Sequence, residues 1–138
     1  MNKFYLLLFT FIIQYNFGQT LLIYGGKDND TFLGCLNCDN YSKSSIWNKY
    51  GLNGSKYNSN SIWNRYGNFG GPHSNYSPFN KYATYPPVLV DKNGNFYGYF
   101  TADIFFSKRT DNQLALLIIK YWEKISEDVG QAYENIFK

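Results

Sequence analysis

The apolar positions of the chain change their spacing several times. Residues 4–13 (FYLLLFTFII) form a long apolar run, whereas 21–24 (LLIY) and 31–35 (TFLGC) are short runs separated by GGKDND. Short apolar runs bounded by Gly, Asp and Asn read as strands joined by a turn. A second pair, 88–90 (VLV) and 96–101 (FYGYFT), flanks Asp91-Lys92-Asn93-Gly94. Asn-Gly tolerates the positive φ of tight turns, so this pair reads as a hairpin. Past Thr110 the spacing becomes helical, with Leu114, Leu117, Ile118, Tyr121, Trp122 and Ile125 on one face. Thr110-Asp111-Asn112-Gln113 has the form of a capping box, which makes Thr110 the expected N-cap. Gly130 is expected to end or interrupt the helix, with a further helical turn over 131–137. The fold class that follows is α+β: a small antiparallel sheet, a C-terminal amphipathic helix on one face, and a long ordered connection between the strand pairs.

That connection, 36–84, follows neither period. It repeats instead at sixteen residues, as three copies of S-x-[WF]-N-[KR]-Y-[GA]. The columns are Ser45, Ser61 and Ser77; Trp47, Trp63 and Phe79; Asn48, Asn64 and Asn80; Lys49, Arg65 and Lys81; Tyr50, Tyr66 and Tyr82. Upstream, Tyr41 aligns with Tyr57 and His73, and Gly51 and Gly54 align with Gly67 and Gly70. One step earlier these glycine columns fall on Cys35 and Cys38, so CLNC stands where later copies have Gly-x-x-Gly. Ser is a good N-cap, Pro78 suits a first helical position, and Gly after Tyr suits a C-cap. The pattern therefore predicts three one-turn helices with Gly/Ser/Asn-rich loops between them. Helices so short need packing of their Trp and Tyr to persist.

Composition changes this picture at two points. Lys3 ahead of the ten-residue apolar run, followed by QYNFGQT, has the layout of a secretory signal peptide cleaved after Gly18. The run is too short to span a bilayer, which needs roughly 20 residues. Residues 19–138 are then expected to be one exported domain, periplasmic or extracellular, with no membrane span. The formal charge is +3, or +2 once Lys3 is removed, and no basic block occurs. Nothing here implies nucleic acid as a partner. The second point is an aromatic content of 21%, led by 14 tyrosines; Tyr joins an apolar face to a polar tip.

The candidate chemistry is sparse. Two cysteines in an exported chain favour a structural disulfide between Cys35 and Cys38, with redox activity and metal binding as the alternatives. Zinc needs about four ligands, and His73 is the sole histidine. Asp91 to Asn95 places oxygens at alternate positions, but Ala102 stands where a calcium loop needs its bidentate Glu. Asp28, Asp30, Asp39, Asp91 and Asp103 read as solvated turn carboxylates. No catalytic constellation, metal site or cofactor motif is present in the pattern, and an enzyme is the less favoured class.

The order FLGCLNC, YPPVLVDKNGNFYGYF and a terminal helix is similar to the thioredoxin fold, although the long helix required after the cysteines is replaced by Gly, Ser and Asn. A closer resemblance is carried by GGKDNDTFLGCLNCDNYS, the SIWN-x-YG repeats and PPVLVDKNGNFYGYFT. These resemble a group of small, often exported bacterial proteins in which FLGCLNC precedes tandem SIWN-x-YG units. The resemblance covers roughly residues 25–101 and implies that the repeat and CLNC belong to one structural design. It implies no activity.

Three functions follow as expectations. The first is an exported binding module for a polar polymer such as a cell-envelope glycan. Its site would be Trp47, Trp63, Phe79, Tyr50, Tyr66 and Tyr82 with Asn48, Asn64 and Asn80 beside them. The second is a thiol-disulfide redox protein using Cys35 and Cys38. The third is a structural domain acting on another envelope or extracellular protein. Against the first stands the prospect that the rings are simply the core of segments with few aliphatic residues.

Overall fold

The structure is a computed structural model that describes residues 19–138. The expected signal peptide, 1–18, lies outside the described residues. Four strands, β1 (Leu22–Gly25), β2 (Thr31–Cys35), β3 (Val88–Val90) and β4 (Phe96–Tyr99), form one antiparallel sheet in the order β2-β1-β3-β4. Two helices follow, α1 (Gln113–Glu127) and α2 (Val129–Phe137). The α+β reading and all four strands match the sequence expectation. The register of β1 with β2 slips after Ile23↔Gly34, and Gly34 has φ +124°. A Cβ there would lie 2.8 Å from Asn53 Cβ and 2.9 Å from Ile46 Cγ2. Glycine thus lets the end of β2 approach the repeat region closely.

Each outer strand is bridged at its last residue, which shortens the open edge that a neighbouring chain could pair with. Beyond β2, the Cys35 amide donates to the Ser44 carbonyl (2.7 Å) and the Ile46 amide to the Cys35 carbonyl (3.1 Å). Beyond β4, the Tyr99 amide donates to Lys108 (2.9 Å) and the Thr110 amide to Tyr99 (2.8 Å). The last bond explains why Thr110 is not the helix cap. Its backbone is tied to β4, so its hydroxyl only accepts the Asn112 amide (3.2 Å). Asn112 is the N-cap of α1, its side-chain oxygen accepting the Ala115 amide at 3.0 Å.

The helix break also falls elsewhere than expected. Asp128 (φ −151°) ends α1 and caps α2 through the Gln131 amide (3.1 Å). Gly130 lies inside α2. Tyr121, expected on the buried face, has non-helical dihedrals (φ −118°, ψ 17°) and is half exposed. Of the expected face Ile118 and Ile125 are buried, and Ala115 joins them.

One core joins sheet, repeats and helices. Ile23, Leu33 and Leu89 enter it from the sheet, and Ile46, Trp47, Ile62, Trp63 and Phe79 from the repeats. The Trp47 ring lies 5.8 Å from Trp63, and Trp63 lies 6.2 Å from Phe79. Phe79 stacks on Trp122 of α1 at 4.8 Å, and Trp47 meets Phe137 of α2 at 5.4 Å. The repeats are therefore held between β2 and the helices by side-chain packing, with one backbone bridge at Cys35.

The Asp91–Gly94 turn is a hairpin closed by its own carboxylate. Gly94 (φ +83°) donates to the Asp91 carbonyl (3.1 Å). The Asp91 carboxylate accepts the Asn95 side chain, the Asn93 and Asn95 amides (each 2.9 Å) and the Tyr97 hydroxyl (3.2 Å). The Asn95 side-chain bond, then the other bonds, holds the Asp91 carboxyl below its ordinary value, although desolvation acts the other way. A carboxyl lowered in the folded state stabilises it above the unfolded pKa, near 3.8. That contribution is lost as pH falls through the lower folded value. Denaturant titrations repeated at stepwise lower pH are expected to show a fall in stability below about pH 4. Asp91→Asn is expected to be less stable at neutral pH and to have a shallower acid dependence. An unchanged acid slope in that variant would remove Asp91 from the account.

Candidate functional site

The repeat region contains hydrogen-bonded turns where three one-turn helices were expected. Corner residues accept twice, and this is the physical reason. The Ser45, Ser61 and Ser77 hydroxyls accept the amides of Trp47, Trp63 and Phe79 at 3.0, 3.1 and 3.1 Å. The Asn48, Asn64 and Asn80 side-chain oxygens accept the amides of Tyr50, Tyr66 and Tyr82 at 3.1, 3.1 and 3.0 Å. The serine bonds are those an N-cap makes, but the Tyr amides taken by the asparagines are lost to a helical ladder. Carbonyls then close onto the third residue, as in Asn48 to Ser45 (3.2 Å) and Gly51 to Asn48 (2.9 Å). Each Asn side chain also donates six residues back, to Ser42, Asn58 and Ser74 at 3.1, 3.1 and 2.9 Å. The same pattern thus recurs at the sixteen-residue step. These asparagines are occupied by the fold, and none is free to read a ligand with both ends of its amide.

The nine aromatic and amide residues proposed from sequence therefore separate into three groups. Trp47, Trp63 and Phe79 are buried, at 1%, 2% and 6% exposure. The indole N–H of Trp47 donates to the Leu36 carbonyl (2.7 Å), and that of Trp63 to the Ile46 carbonyl (2.6 Å). Phe79 has no such N–H, and its side chain joins its neighbours by ring contact, on Trp63, Phe100 and Trp122. The tyrosines go the other way. Tyr50, Tyr66 and Tyr82 are 87%, 94% and 79% exposed. They do not share the core role with the tryptophans. Tyr41 and Tyr57, the second tyrosine column, also face outward.

Cations accompany these rings. Lys49 lies 5.2 Å from the centre of Tyr50, Lys56 5.6 Å from Tyr57, and Lys81 5.2 Å from Tyr82. Such pairs hold an exposed ring and its cation together, at about 0.5–1 kcal/mol each. Arg65 instead reaches Trp122, at 6.0 Å. Lys56 and Tyr57 were not among the expected site residues. The sixteen-residue relation of Tyr57 to Tyr41 was visible, but nothing in the pattern marked either residue as part of a site.

Cys35 and Cys38 form a disulfide, with Cα atoms 5.6 Å apart. Cys35 is fully buried, and it lies at the end of β2 rather than at a helix N-terminus. It therefore lacks the exposure and the helix field that activate a redox cysteine. In the following copies the Gly51 carbonyl accepts the Ser55 amide and the Gly67 carbonyl the Gly71 amide, each at 3.0 Å, a link that starts in the Cys35 column and ends one residue past the Cys38 column. The disulfide staples the turn that a hydrogen bond closes later. Cys35→Ser/Cys38→Ser is expected to lose about 2 kcal/mol in denaturant unfolding, given the short loop it closes.

The turn carboxylates also have structural duties. Asp39 accepts the Tyr41 and Ser42 amides, and Asp103 the Phe105 amide. Among the described residues, no group of three His, Cys, Asp or Glu is placed to hold a metal ion. No helix there is long and apolar enough to cross a membrane.

No family model, curated protein or solved structure matches the chain. The outward tyrosines and the clefts beside them are thus the material for a functional reading.

Proposed function

We propose that this is a small exported binding module for a polar polymer of the cell envelope, such as a glycan. Its working surface would be the row Tyr50, Tyr66 and Tyr82 with the cations beside it. The observation that carries this reading is the division of the aromatic residues. The tryptophans and Phe79, with Ile46 and Ile62, form the core of the repeats, yet every copy also presents a largely exposed tyrosine. Exposed rings contribute little to folding, and a flat apolar face with a hydroxyl suits a half-wet contact. Export is supported by the signal-peptide pattern and by a disulfide that needs an oxidising compartment.

The test is co-sedimentation with insoluble cell-envelope polysaccharide. The triple variant Tyr50→Ala/Tyr66→Ala/Tyr82→Ala is expected to lose binding while melting like the parent. Undiminished binding in that variant would sink the reading. The redox alternative predicts insulin reduction that Cys35→Ser abolishes; equal, negligible rates for both proteins are expected.

A further inference from the structure

Two clefts adjoin along the seam where the repeats meet the junction of α1 and α2. One, of about 420 Å³, lies among Tyr57, Arg65, Tyr66, Glu123 and Glu127. The other, of about 610 Å³, lies among Lys49, Tyr50, Lys56, Tyr57, Glu127 and Asp128. Both volumes fall within the range of ligand sites, about 300–1,000 Å³. Lys56, Tyr57, Ser126 and Glu127 border both clefts, so the two form one groove.

We propose that this seam binds a short stretch of uncharged oligosaccharide, a refinement that rests on the reading above. The repeat wall carries three cations, Lys49, Lys56 and Arg65. The helix wall carries three carboxylates, Glu123, Glu127 and Asp128. Among the described residues the ion pair within 4.0 Å is Lys138 with Glu134, so these six do not close on one another across the groove. The seam has no net charge but is dense in donors on one wall and acceptors on the other. A polyanion would meet the carboxylates and a polycation the ammonium groups, and like-charge contact is costly. Sugar hydroxyls both donate and accept, so they suit the two walls at once. The rings of Tyr50, Tyr57 and Tyr66 supply flat faces for the C–H surfaces of the sugar rings. Tyr57 is the central one, because it borders both clefts.

The experiment is calorimetric titration of the purified protein with oligosaccharides of neutral glucose, mannose and N-acetylglucosamine, with oligogalacturonate as the anionic series. Each is run at low and at high salt. At least one neutral series is expected to bind with an affinity that salt barely changes. Tyr57→Ala is expected to weaken it about tenfold or more, as an anchor at the centre of an interface does. Tyr57 is 83% exposed, so its loss leaves the melting temperature unchanged. Tyr41→Ala removes an equally exposed ring that borders neither cleft and leaves affinity unchanged. Tighter binding of oligogalacturonate that salt weakens would overturn the neutral assignment and leave the binding-module reading standing. Binding that Tyr57→Ala does not alter would overturn the seam. No binding to any sugar, with co-sedimentation intact, overturns the oligosaccharide class. Failure of both assays overturns the two readings together.

Discussion

Trp47→Ala is expected to lower the free energy of unfolding by about 3–5 kcal/mol, the range for removing a buried aromatic side chain. Trp47 is the ring on which the repeats, the sheet and α2 converge. It touches Trp63, Tyr133 and Phe137, and its N–H satisfies the carbonyl of Leu36 inside the disulfide loop. Alanine leaves a cavity bordered by three rings and removes the partner of that carbonyl. Trp47→Phe separates the two effects, since it keeps most of the ring and drops only the N–H. Its expected cost is about 1–3 kcal/mol. The third repeat copy already lives with this substitution at Phe79, where stacking on Trp122 fills the space. Tyr50→Ala, three residues on, should cost less than about 0.5 kcal/mol, as exposed substitutions do. Equilibrium unfolding in urea measures all three. A Trp47→Ala midpoint close to the parent's would mean that the ring stack does not hold the repeats.

Gly54→Ala is expected to be as damaging, for a different reason. Its φ is not in the left-handed region, so strain is not the issue. A Cβ at residue 54 would overlap the Asn48 carbonyl oxygen, and would lie 2.5 Å from that carbonyl's carbon and 2.9 Å from the Asn48 amide nitrogen. These are backbone atoms of a turn whose geometry is set by Ser45 and Asn48, so they cannot swing aside as a side chain would. The expected loss lies at or above the upper end of the usual overpacking cost, about 1–3 kcal/mol. Gly70 stands in the same relation one step later, 2.5 Å from the Ile62 carbonyl oxygen and 2.8 Å from the Asn64 carbonyl carbon. Gly94→Ala is the contrasting case. A Cβ there meets nothing within 4 Å, but φ is +83°, so only the left-handed penalty of about 1–2 kcal/mol applies. The ordering Gly54→Ala above Gly94→Ala, read from thermal melts, checks the packing account.

The strands were legible because their cues are local. Gly25-Gly26 and Asn93-Gly94 bound short apolar runs, and the observed ends differ from the expected ones by no more than two residues. The α1 face was partly legible. Its cap was misplaced because Thr110 and Asn112 are both capping residue types, and a sheet bond outside the helix decides between them. The repeat columns were legible, but their local structure was not. Ser, Asn and Gly at those intervals suit a one-turn helix and a run of turns equally well. Side-chain bonds from Asn48, Asn64 and Asn80 to carbonyls six residues earlier select the turns.

The candidate site divides the same way. Sequence by itself determined the columns: which residues recur at sixteen, that CLNC falls in the frame of the Gly-x-x-Gly turn, and that aromatic rings outnumber aliphatic side chains between the strands. It also determined the hairpin at Asp91 and the apolar spacing of α1, since both depend on residues close along the chain. Only the tertiary structure decided which rings face inward. Trp and Tyr are both amphipathic, and in one unit they stand three residues apart with no strand or helix period to assign their sides. The choice falls to long-range partners, namely the Leu36 and Ile46 carbonyls for the indole N–H groups, and Trp122, Tyr133 and Phe137 for the rings. The same long-range packing brings Glu123, Glu127 and Asp128 opposite Lys49, Lys56 and Arg65, across a seam that no spacing along the chain describes.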